Sequence, residues 1–454
     1  MGELLDKLEK LAESGDYAFH MPGHKRNIDF LNGICKSDIT EIDGFDDLHK
    51  PTGVLKRLID RVSKIYGADY SYILTGGSTS GILTAVSAAT GKNDTILVAR
   101  NSHKSVYNAV MLRDLKTEYV YPQSVFSGGI NSAILAEDVE KHLAGNKKIK
   151  AVIITSPTYE GVVSDVKAIA AVCHCHNAVL IVDAAHGAHF GFSENFPANP
   201  VREGADIVIM SLHKTLPAMT QTAILCVRGN NINKDRLDMF FHTFISSSPS
   251  YVLMASVESC MDFLENNSEK FKSYEKKLEN FYKECFLQKL CFFKTDDFGK
   301  IVVLTVNADI SGKELKKILH NDFHIEVEMA SDEYVIAMTS VCDSKESFDA
   351  LSQALMEIDS KISFKDKKKS YEYTRGTAAV SICAAADSEY EYVSITEAVG
   401  RISAGFIMAY PPGIPVITPG EVFTKEICDK ICYQADNNIN LYGIDEKLYV
   451  KVCK

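Results

Sequence analysis

The sequence lacks any run of the roughly 18 apolar residues that a membrane-spanning helix needs. Its first residues, MGELLDKLEK, also lack the positively flanked apolar core of a secretion signal. Basic residues do not balance acidic ones, because 49 Lys and Arg stand against 60 Asp and Glu, a net charge of −11. Phosphate-rich partners need a dense basic surface. We therefore expect a cytoplasmic protein that binds neither membrane nor nucleic acid and acts on a small molecule.

Internal repeats and low-complexity segments are missing too. The 454 residues, 46% of them hydrophobic, therefore predict a globular chain of two or three packed units. The twelve cysteines come without a secretion signal and predict reduced core thiols rather than disulfides. The run Cys173-His174-Cys175-His176 resembles a metal motif, but consecutive residues at a helix end point in different directions. We predict no metal site.

From about residue 54 the sequence alternates between helical periodicity and short apolar runs rich in β-branched residues. Helices are predicted near 54–66, 78–90, 103–113, 134–143 and 165–176. Strands are predicted at Tyr72–Leu74, Thr95–Val98, Ala151–Thr155, Val179–Val182, Ile207–Met210 and Ala223–Val227. Several strands are apolar throughout, as expected where helices cover both faces of a sheet. The pattern predicts an α/β fold with a largely parallel sheet.

Three segments are predicted along the chain. An N-terminal segment, 1–50, precedes a large domain at 51–290 that ends in one or two long connecting helices. Residues 291–454 are predicted to form a smaller C-terminal α+β domain. Its tail contains YPPGIPVITPGE at 410–421, which can form neither a regular helix nor a central strand.

The first of three chemical motifs, TGGSTSG at 75–81, follows a predicted strand and opens a helix. Its glycines allow close backbone approach, Ser78 and Thr79 add hydroxyl donors, and the helix N-terminus favours a phosphate. The motif has neither the lysine of a nucleotide P-loop nor the pattern G-x-G-x-x-G, so a monophosphate fits better than a nucleotide. A Gly/Ser turn that only caps a helix would have the same sequence.

The second motif, Asp183-Ala184-Ala185-His186-Gly187, ends the predicted strand Val179–Val182. A carboxylate at a buried strand end needs a cationic or hydrogen-bonding partner to stay ionised. A protonated pyridine nitrogen would be such a partner for Asp183. His186 either lines the same site or only satisfies a local carbonyl.

The third motif, Ser211-Leu212-His213-Lys214, directly follows the predicted strand Ile207–Met210. Lysines are seldom buried unless they are paired or chemically engaged. Desolvation and nearby cations would lower the pKa of Lys214, as a Schiff-base amine requires. All three motifs follow strands at the edge where open α/β sheets build ligand sites. A phosphate cradle, a pyridinium anchor and a nucleophilic amine are the set that pyridoxal 5′-phosphate (PLP) needs.

At these residues the sequence resembles the Orn/Lys/Arg decarboxylase family of PLP-dependent enzymes, in its short bacterial form. The resemblance runs through nearly the whole chain in ordered blocks: HMPGHK at 20–25, DITEIDGFDDLHKPTG at 38–53, TGGSTSG at 75–81, RNSHKS at 100–105, TSPTYEGVVSD at 155–165, VDAAHGAHF at 182–190, SLHKTLPAMTQ at 211–221, SSSPSY at 246–251 and YPPGIPVITPGE at 410–421. It implies the α/β, aspartate-aminotransferase-like PLP fold. It also implies decarboxylation of a basic amino acid, arginine or lysine ahead of ornithine.

The resemblance implies a role for each matching residue. Lys214 would hold PLP as a Schiff base, Asp183 would pair with the pyridine nitrogen, and His103 would stack on the ring. His103 or Lys214 would donate the proton that completes the reaction. The residues implied to bind the phosphate are Ser78, Thr79, Ser211 and His213. Ser247 would reach the phosphate of a neighbouring subunit, which implies a homodimer or higher homo-oligomer with active sites at the subunit interface.

Downstream arginines are scarce. Aminotransferases of this fold commonly grip the substrate α-carboxylate with an arginine of the small domain, whereas a decarboxylase gains from leaving that group weakly solvated. After Arg236 the sequence has only Arg375 and Arg401, which favours a decarboxylase. Carboxylates that could hold a distal cation of the substrate are Glu41, Asp43, Asp46 and Asp47. A solvated acidic loop is the alternative interpretation of that cluster.

Two positions depart from the family pattern. Ala184 stands where a glutamate is usual, and Ser381-Ile382-Cys383-Ala384-Ala385 stands where Ser-Pro-Arg-Glu-Ala is usual. These departures bear on the choice of substrate more than on the binding of the cofactor. The alternatives are another PLP reaction, such as an aminotransferase or α-oxoamine synthase, and a degenerate homologue that regulates a true decarboxylase. Retention of Lys214, Asp183 and His103 argues against the degenerate homologue. A nucleotide-binding module is a further alternative, but the sequence lacks the motifs that such modules usually carry.

Overall fold

The computed structural model describes residues 15–19, 39–41, 45–122, 125–126, 129–365, 375–410, 413–436 and 439–454. The strands are β1 Tyr17–Phe19, β2 Tyr70–Leu74, β3 Thr95–Ala99, β4 Lys116–Val120, β5 Val125–Phe126, β6 Ile130–Asn131, β7 Ile149–Thr155, β8 Val179–Asp183, β9 Ile207–Ser211, β10 Ala223–Val227, β11 Cys291–Phe293, β12 Lys300–Leu304, β13 Ile325–Val327, β14 Met329–Ala330, β15 Tyr334–Met338, β16 Tyr390–Ser394, β17 Ile407–Ala409, β18 Ile414–Ile417, β19 Leu441–Tyr442 and β20 Tyr449–Cys453. The helices are α1 Val54–Tyr66, α2 Gly77–Ala89, α3 Lys104–Arg113, α4 Ala136–Gly145, α5 Val166–Cys175, α6 Leu212–Thr215, α7 Lys234–Phe244, α8 Tyr251–Asn266, α9 Ser268–Glu284, α10 Gly312–Phe323, α11 Lys345–Lys361, α12 Ile382–Ala386 and α13 Lys425–Asp436.

A seven-stranded sheet forms the centre of the fold, with the order β2-β10-β9-β8-β7-β3-β4. Strand β10 runs antiparallel to both of its neighbours, and the contacts from β9 to β4 are all parallel. The prediction of a largely parallel sheet is confirmed. Strands β3, β8, β9 and β10 are buried at every residue, which explains why their sequences are apolar apart from Thr95 and the last residues of β8 and β9.

The predicted elements of the large sheet agree with the structure, apart from one strand that sequence patterning missed. Helix α1 occupies the predicted residues, and the other predicted helices differ from the structure by a residue or two. The missed strand is β4, with the sequence KTEYV, which pairs only with β3 at the sheet edge. An edge strand that is partly exposed needs no apolar run, so it gives little signal. In the proline-rich tail, β18 is an edge strand, as its prolines require.

After the last strand of the large sheet along the chain, the predicted connecting helices are α8 and α9. They lead to an antiparallel sheet with the order β11-β12-β15-β14. A separate hydrophobic cluster, formed by residues between Ile395 and Val452, organises the last part of the chain. The predicted domain boundaries stay predictions, and most of the N-terminal segment, with its HMPGHK block, lies outside the described residues. In the described ranges, no helix is long and apolar enough to cross a bilayer.

Candidate active site

The carboxyl ends of the parallel strands surround a cavity of about 490 Å³. Strand β7 ends at Thr155, β8 at Asp183 and β9 at Ser211, and Thr155 pairs directly with Asp183 across the sheet. Every residue predicted to bind the cofactor or to act in catalysis, except Ser247, lines this cavity: Ser78, Thr79, His103, Asp183, His186, Ser211, His213 and Lys214. The topology therefore brings together side chains that are far apart in sequence.

One end of the cavity suits an anion. Helix α2 begins at Gly77, whose φ of +70° lies in the left-handed region that favours glycine, and its first turn points into the cavity with Ser78. The Ser78 and Ser211 hydroxyls lie 2.6 Å apart, so two strand ends contribute to the same cradle. His213 Nδ1 lies 2.9 Å from the Thr222 carbonyl oxygen and must donate to it, which leaves the other ring nitrogen for a ligand.

At the middle of the cavity, Asp183 is 4% exposed and accepts a hydrogen bond from the Ala185 N–H at 3.2 Å. Burial raises the pKa of this carboxyl, and the nearby Lys214 opposes that rise. Within the described ranges, Thr155 Oγ1 and Asn101 Oδ1 are buried without a hydrogen-bond partner, and both residues line the cavity. Unsatisfied polar atoms around a buried acid fit a polar ring ligand whose cationic nitrogen faces Asp183.

Lys214 lies on the short helix α6, directly after β9. Its Nζ is 2.9 Å from His186 Nε2. Burial lowers the pKa of Lys214, against the opposing charges of Asp183 and Glu328. A lysine that loses its proton easily at a cavity wall is suited to attack a carbonyl group.

His103 caps the N-terminus of α3, and its Nδ1 accepts a hydrogen bond from the Ser105 N–H at 3.3 Å. Its proton therefore resides on Nε2. Burial, with Lys214 and Lys104 nearby, lowers the pKa of His103 to about 4. The imidazole is thus neutral at physiological pH. Gly413, whose φ lies in the left-handed region, packs against the His103 ring, where an added Cβ would come within 3.2 Å of the ring.

Besides Asp183, two further carboxylates line the same cavity as Lys214. Glu160 is buried and accepts a hydrogen bond from the Tyr334 hydroxyl at 2.9 Å. Glu328 accepts one from the Tyr159 hydroxyl. No arginine of the described residues contributes to the cavity wall. The cavity therefore combines an anion cradle, a reactive amine and two acidic side chains.

Comparison with known families gives a direct match over most of the chain. Residues 3–285 match the model of the Orn/Lys/Arg decarboxylase major domain, and residues 365–438 match that of its C-terminal domain. The chain belongs to the Orn/Lys/Arg decarboxylase family. A curated relative, the arginine decarboxylase of Bacillus subtilis, is 29% identical over 97% of this chain and 94% of its own length.

Solved structures agree on the fold. The lysine decarboxylase of Francisella novicida superposes with a TM-score of 0.80 at 19% identity, covering 93% of this chain and 75% of its own. Serine palmitoyltransferase of Sphingomonas wittichii gives a TM-score of 0.60 at 16% identity over 79% of this chain and 98% of its own. The predicted aspartate-aminotransferase-like fold, with a large mostly parallel sheet and a smaller C-terminal part, is confirmed.

The two departures from the family pattern lie away from the cavity wall. Ala184 is fully buried and donates its N–H to the Ile209 carbonyl, while the neighbouring Ala185 lines the cavity. Ile382 and Cys383 lie on α12, which packs against α3. Neither departure therefore replaces a residue that lines the cavity of this chain.

Ser247 is the predicted cofactor-binding residue that does not line the cavity, and the described members of the predicted acidic cluster do not line it either. It is exposed in the loop before α8, between the exposed Ser246 and Ser248. Its assignment to a neighbouring subunit's phosphate stays a prediction. Of the predicted acidic cluster, Asp46 binds the backbone N–H groups of Thr52 and Gly53 at the start of α1, so its role is structural. Asp43 lies outside the described residues.

Sequence reasoning missed the cavity-lining residues Glu160, Glu328, Tyr159 and Tyr410. The block TSPTYEG at 155–161 contains two of them and follows a predicted strand, so its position at the active edge of the sheet was a usable signal. Glu328, just before β14, and Tyr410, after β17, carried no such signal.

A buried ion pair fastens two family blocks beside the site. Arg100 and Glu421 are 3% and 1% exposed, and Arg100 Nη2 lies 2.9 Å from Glu421 Oε2. Arg100 also donates to the carbonyl oxygens of Pro415 at 2.8 Å and Val416 at 3.2 Å. The pair thus holds the strand β18, next to Gly413 and His103, against the large sheet.

Replacing Glu421 with glutamine should lower the free energy of unfolding by about 3 to 5 kcal/mol, because Arg100 would stay buried without its counter-charge. The matched control is Glu391→Gln, which removes the partner of the half-exposed Arg401 and should cost less than about 1 kcal/mol. Urea denaturation of both variants measures the difference. Equal losses in the two proteins would contradict a structural role for the buried pair.

Proposed function

We propose that this chain is a PLP-dependent decarboxylase that converts a basic amino acid, arginine or lysine, to the corresponding amine and CO₂. The observation that carries the proposal is a single cavity in which Lys214, the buried Asp183 and the Ser78–Ser211 cradle face the same space as Glu160 and Glu328. Family membership and the names of its relatives support it.

The bound cofactor supplies the electron sink that takes up the electron pair left when CO₂ departs. Ser211 and His213, with the first turn of α2, hold the phosphate group. Asp183 keeps a proton on the pyridine nitrogen, because a buried carboxylate gains most from a cationic partner at close range. Lys214 Nζ would provide the amine that holds the cofactor until the amine of the substrate takes its place, which leaves Lys214 with a free amine.

Lys214 Nζ would also donate the proton that replaces CO₂ on the substrate carbon. His103 is the weaker candidate, because its Nδ1 is engaged by Ser105 and its pKa of about 4 keeps the imidazole neutral. A neutral imidazole is a poor acid, whereas burial lowers the pKa of Lys214, so that its ammonium form gives up a proton more readily than an ordinary lysine does. His103 instead holds the cofactor ring in place.

The acidic side chains select a substrate with a distal cation. Glu160 and Glu328 lie in the wall of a cavity that contains no arginine of the described residues, so a second carboxylate on the substrate would meet negative charge. The same lack of arginine leaves the α-carboxylate of the substrate weakly held, which favours its loss as CO₂ over transamination.

We further propose that the enzyme works as a homodimer or higher homo-oligomer in the cytoplasm. The exposed Ser247 would then reach the phosphate of a neighbouring subunit.

Glu160→Gln and Glu328→Gln should each raise KM for arginine or lysine by about 10- to 100-fold, because each removes a charge that pairs with the substrate cation. The matched control is Glu275→Gln. Glu275 is a buried carboxylate away from the cavity, and it accepts a hydrogen bond from the Asn195 N–H. Steady-state kinetics with PLP in excess measures KM. An unchanged KM in both cavity variants would contradict the assignment of Glu160 and Glu328 to the distal cation of the substrate.

The substrate class is tested by a panel of carboxyl-labelled amino acids offered to the PLP-loaded protein. Arginine, lysine and ornithine should release labelled CO₂, whereas citrulline and norleucine, which have similar length without the cation, should release little. Equal turnover of the neutral amino acids would overturn the assignment to basic substrates.

A further inference from the structure

A second buried lysine lies directly behind the active site. Lys300, the first residue of β12, is 2% exposed, and its Nζ lies 2.8 Å from His186 Nδ1. The other nitrogen of the same imidazole, Nε2, lies 2.9 Å from Lys214 Nζ. His186 therefore bridges two lysines, one in the cavity wall and one outside it.

The chemistry of an imidazole limits where the protons of this bridge can reside. Burial, with Lys214 and Lys300 nearby, lowers the pKa of His186 well below its ordinary value, so the ring is neutral and carries a single N–H. An ammonium group can only donate a hydrogen bond, whereas a neutral amine can also accept one. Because one ring nitrogen accepts and the other donates, at most one of Lys214 and Lys300 is an ammonium while both bonds exist.

The surroundings favour the charge on Lys300. Its Nζ also donates to the Tyr159 carbonyl oxygen at 3.3 Å and lies 5.8 Å from the centre of the Tyr159 ring. The charged groups that face it are the acids Asp297, Glu328 and Glu160 and the amine of Lys214. Lys214 itself faces the acids Asp183 and Glu328. Burial lowers the pKa of Lys300 to about 8, which still leaves it mostly protonated at neutral pH.

We infer that Lys300 is a positioning residue that holds its proton, fixes His186 with its N–H on Nε2, and thereby keeps Lys214 as a free amine that is ready to bind the cofactor. Lys300 donates to Nδ1, and Nε2–H donates to the lone pair of Lys214 Nζ. Lys300, in the antiparallel sheet, thus sets the protonation state of a residue on the short helix that follows strand β9 of the large sheet. The inference rests on the proposed role of Lys214.

Trace acetylation of the full-length, cofactor-free protein tests this link, since acetic anhydride labels only the neutral amine. Mass spectrometry of the peptide that contains Lys214 gives the pH at which labelling is half complete. Lys300→Met should move this midpoint up by about one to two pH units, because the variant loses the nearby positive charge and the fixed orientation of His186. Lys300→Arg, which keeps the charge, should leave the midpoint within about 0.5 pH unit of the wild type.

Lys277→Met is the matched control, because Lys277 is a part-buried lysine that donates to the Asp343 carbonyl away from the cavity. It should leave the Lys214 midpoint unchanged. A folded Lys300→Met protein with an unchanged midpoint would overturn the inference, as would an equal shift in Lys300→Arg. A lysine with only a packing role would alter stability without moving the midpoint.

A measurement on the wild-type protein serves if Lys300→Met does not fold. In ¹⁵N-histidine-labelled protein, with the His186 signals assigned from a His186→Gln sample, the ring should carry its proton on Nε2. A proton on Nδ1 would overturn the inference. Neither experiment uses PLP. Attachment of PLP to another lysine would contradict the proposed function, whereas the Lys214 midpoint and the position of the His186 proton would still decide whether Lys300 acts through His186.

Discussion

Lys214→Ala is expected to abolish covalent PLP binding and to lower CO₂ release by about 10⁴-fold or more, because no other lysine among the described residues lines the cavity. In the wild type, borohydride reduction of the PLP-loaded protein should attach the cofactor to the peptide that contains Lys214. Mass spectrometry of that peptide and the visible absorption of bound PLP are the two measurements.

The control for this experiment is Lys277→Ala, which removes a part-buried lysine away from the cavity and should keep both cofactor and activity. Lys300 provides a second check, since it is the nearest other lysine to His186. Cofactor attached to Lys300, or a Lys214→Ala protein that still decarboxylates, would show that the reactive amine has been assigned to the wrong residue.

Asp183→Asn should lower kcat by about 10³-fold while PLP stays attached to Lys214. Asparagine has nearly the same shape but cannot hold a proton on the pyridine nitrogen, and that protonated nitrogen is worth several kcal/mol to the negative charge that develops on the substrate carbon. Single-turnover rates of CO₂ release, measured with saturating PLP, separate this loss from weaker cofactor binding.

Asp359→Asn is the matched control, because Asp359 has the same 4% exposure and accepts backbone N–H groups of Gln288, Lys289 and Leu290. It should alter stability and leave the rate per folded site unchanged. A similar rate loss in both variants would mean that Asp183 acts through folding rather than through the cofactor.

The part of the site that the sequence predicts comes from strand ends. Strands β8 and β9 are apolar to their last residues, so the polar side chains Asp183 and Ser211 stand out where each strand stops. Parallel strands meet at one edge, and this rule alone brings Asp183, Ser211 and Lys214 together. The large sheet could be predicted for the same reason, since its buried strands carry a strong apolar signal.

The rest of the site depends on tertiary contacts that no local pattern encodes. Lys300 lies in the antiparallel sheet and Glu328 lies just before its strand β14, both more than 80 residues after Lys214. They reach the site only because that sheet packs against the ends of the large one. The exposed Ser247 depends on a second chain in the proposed assembly. His103 gave only the signal of a helix start until the family resemblance assigned it to the cofactor.

The central claim is decarboxylation, and product stoichiometry with arginine or lysine tests it most directly. The PLP-loaded protein should release one CO₂ for each amine formed, with no 2-oxo acid accumulating. In a parallel reaction with an added 2-oxo acid to accept the amino group, formation of the substrate's own 2-oxo acid without CO₂ would contradict the account and identify a transaminase on the same fold.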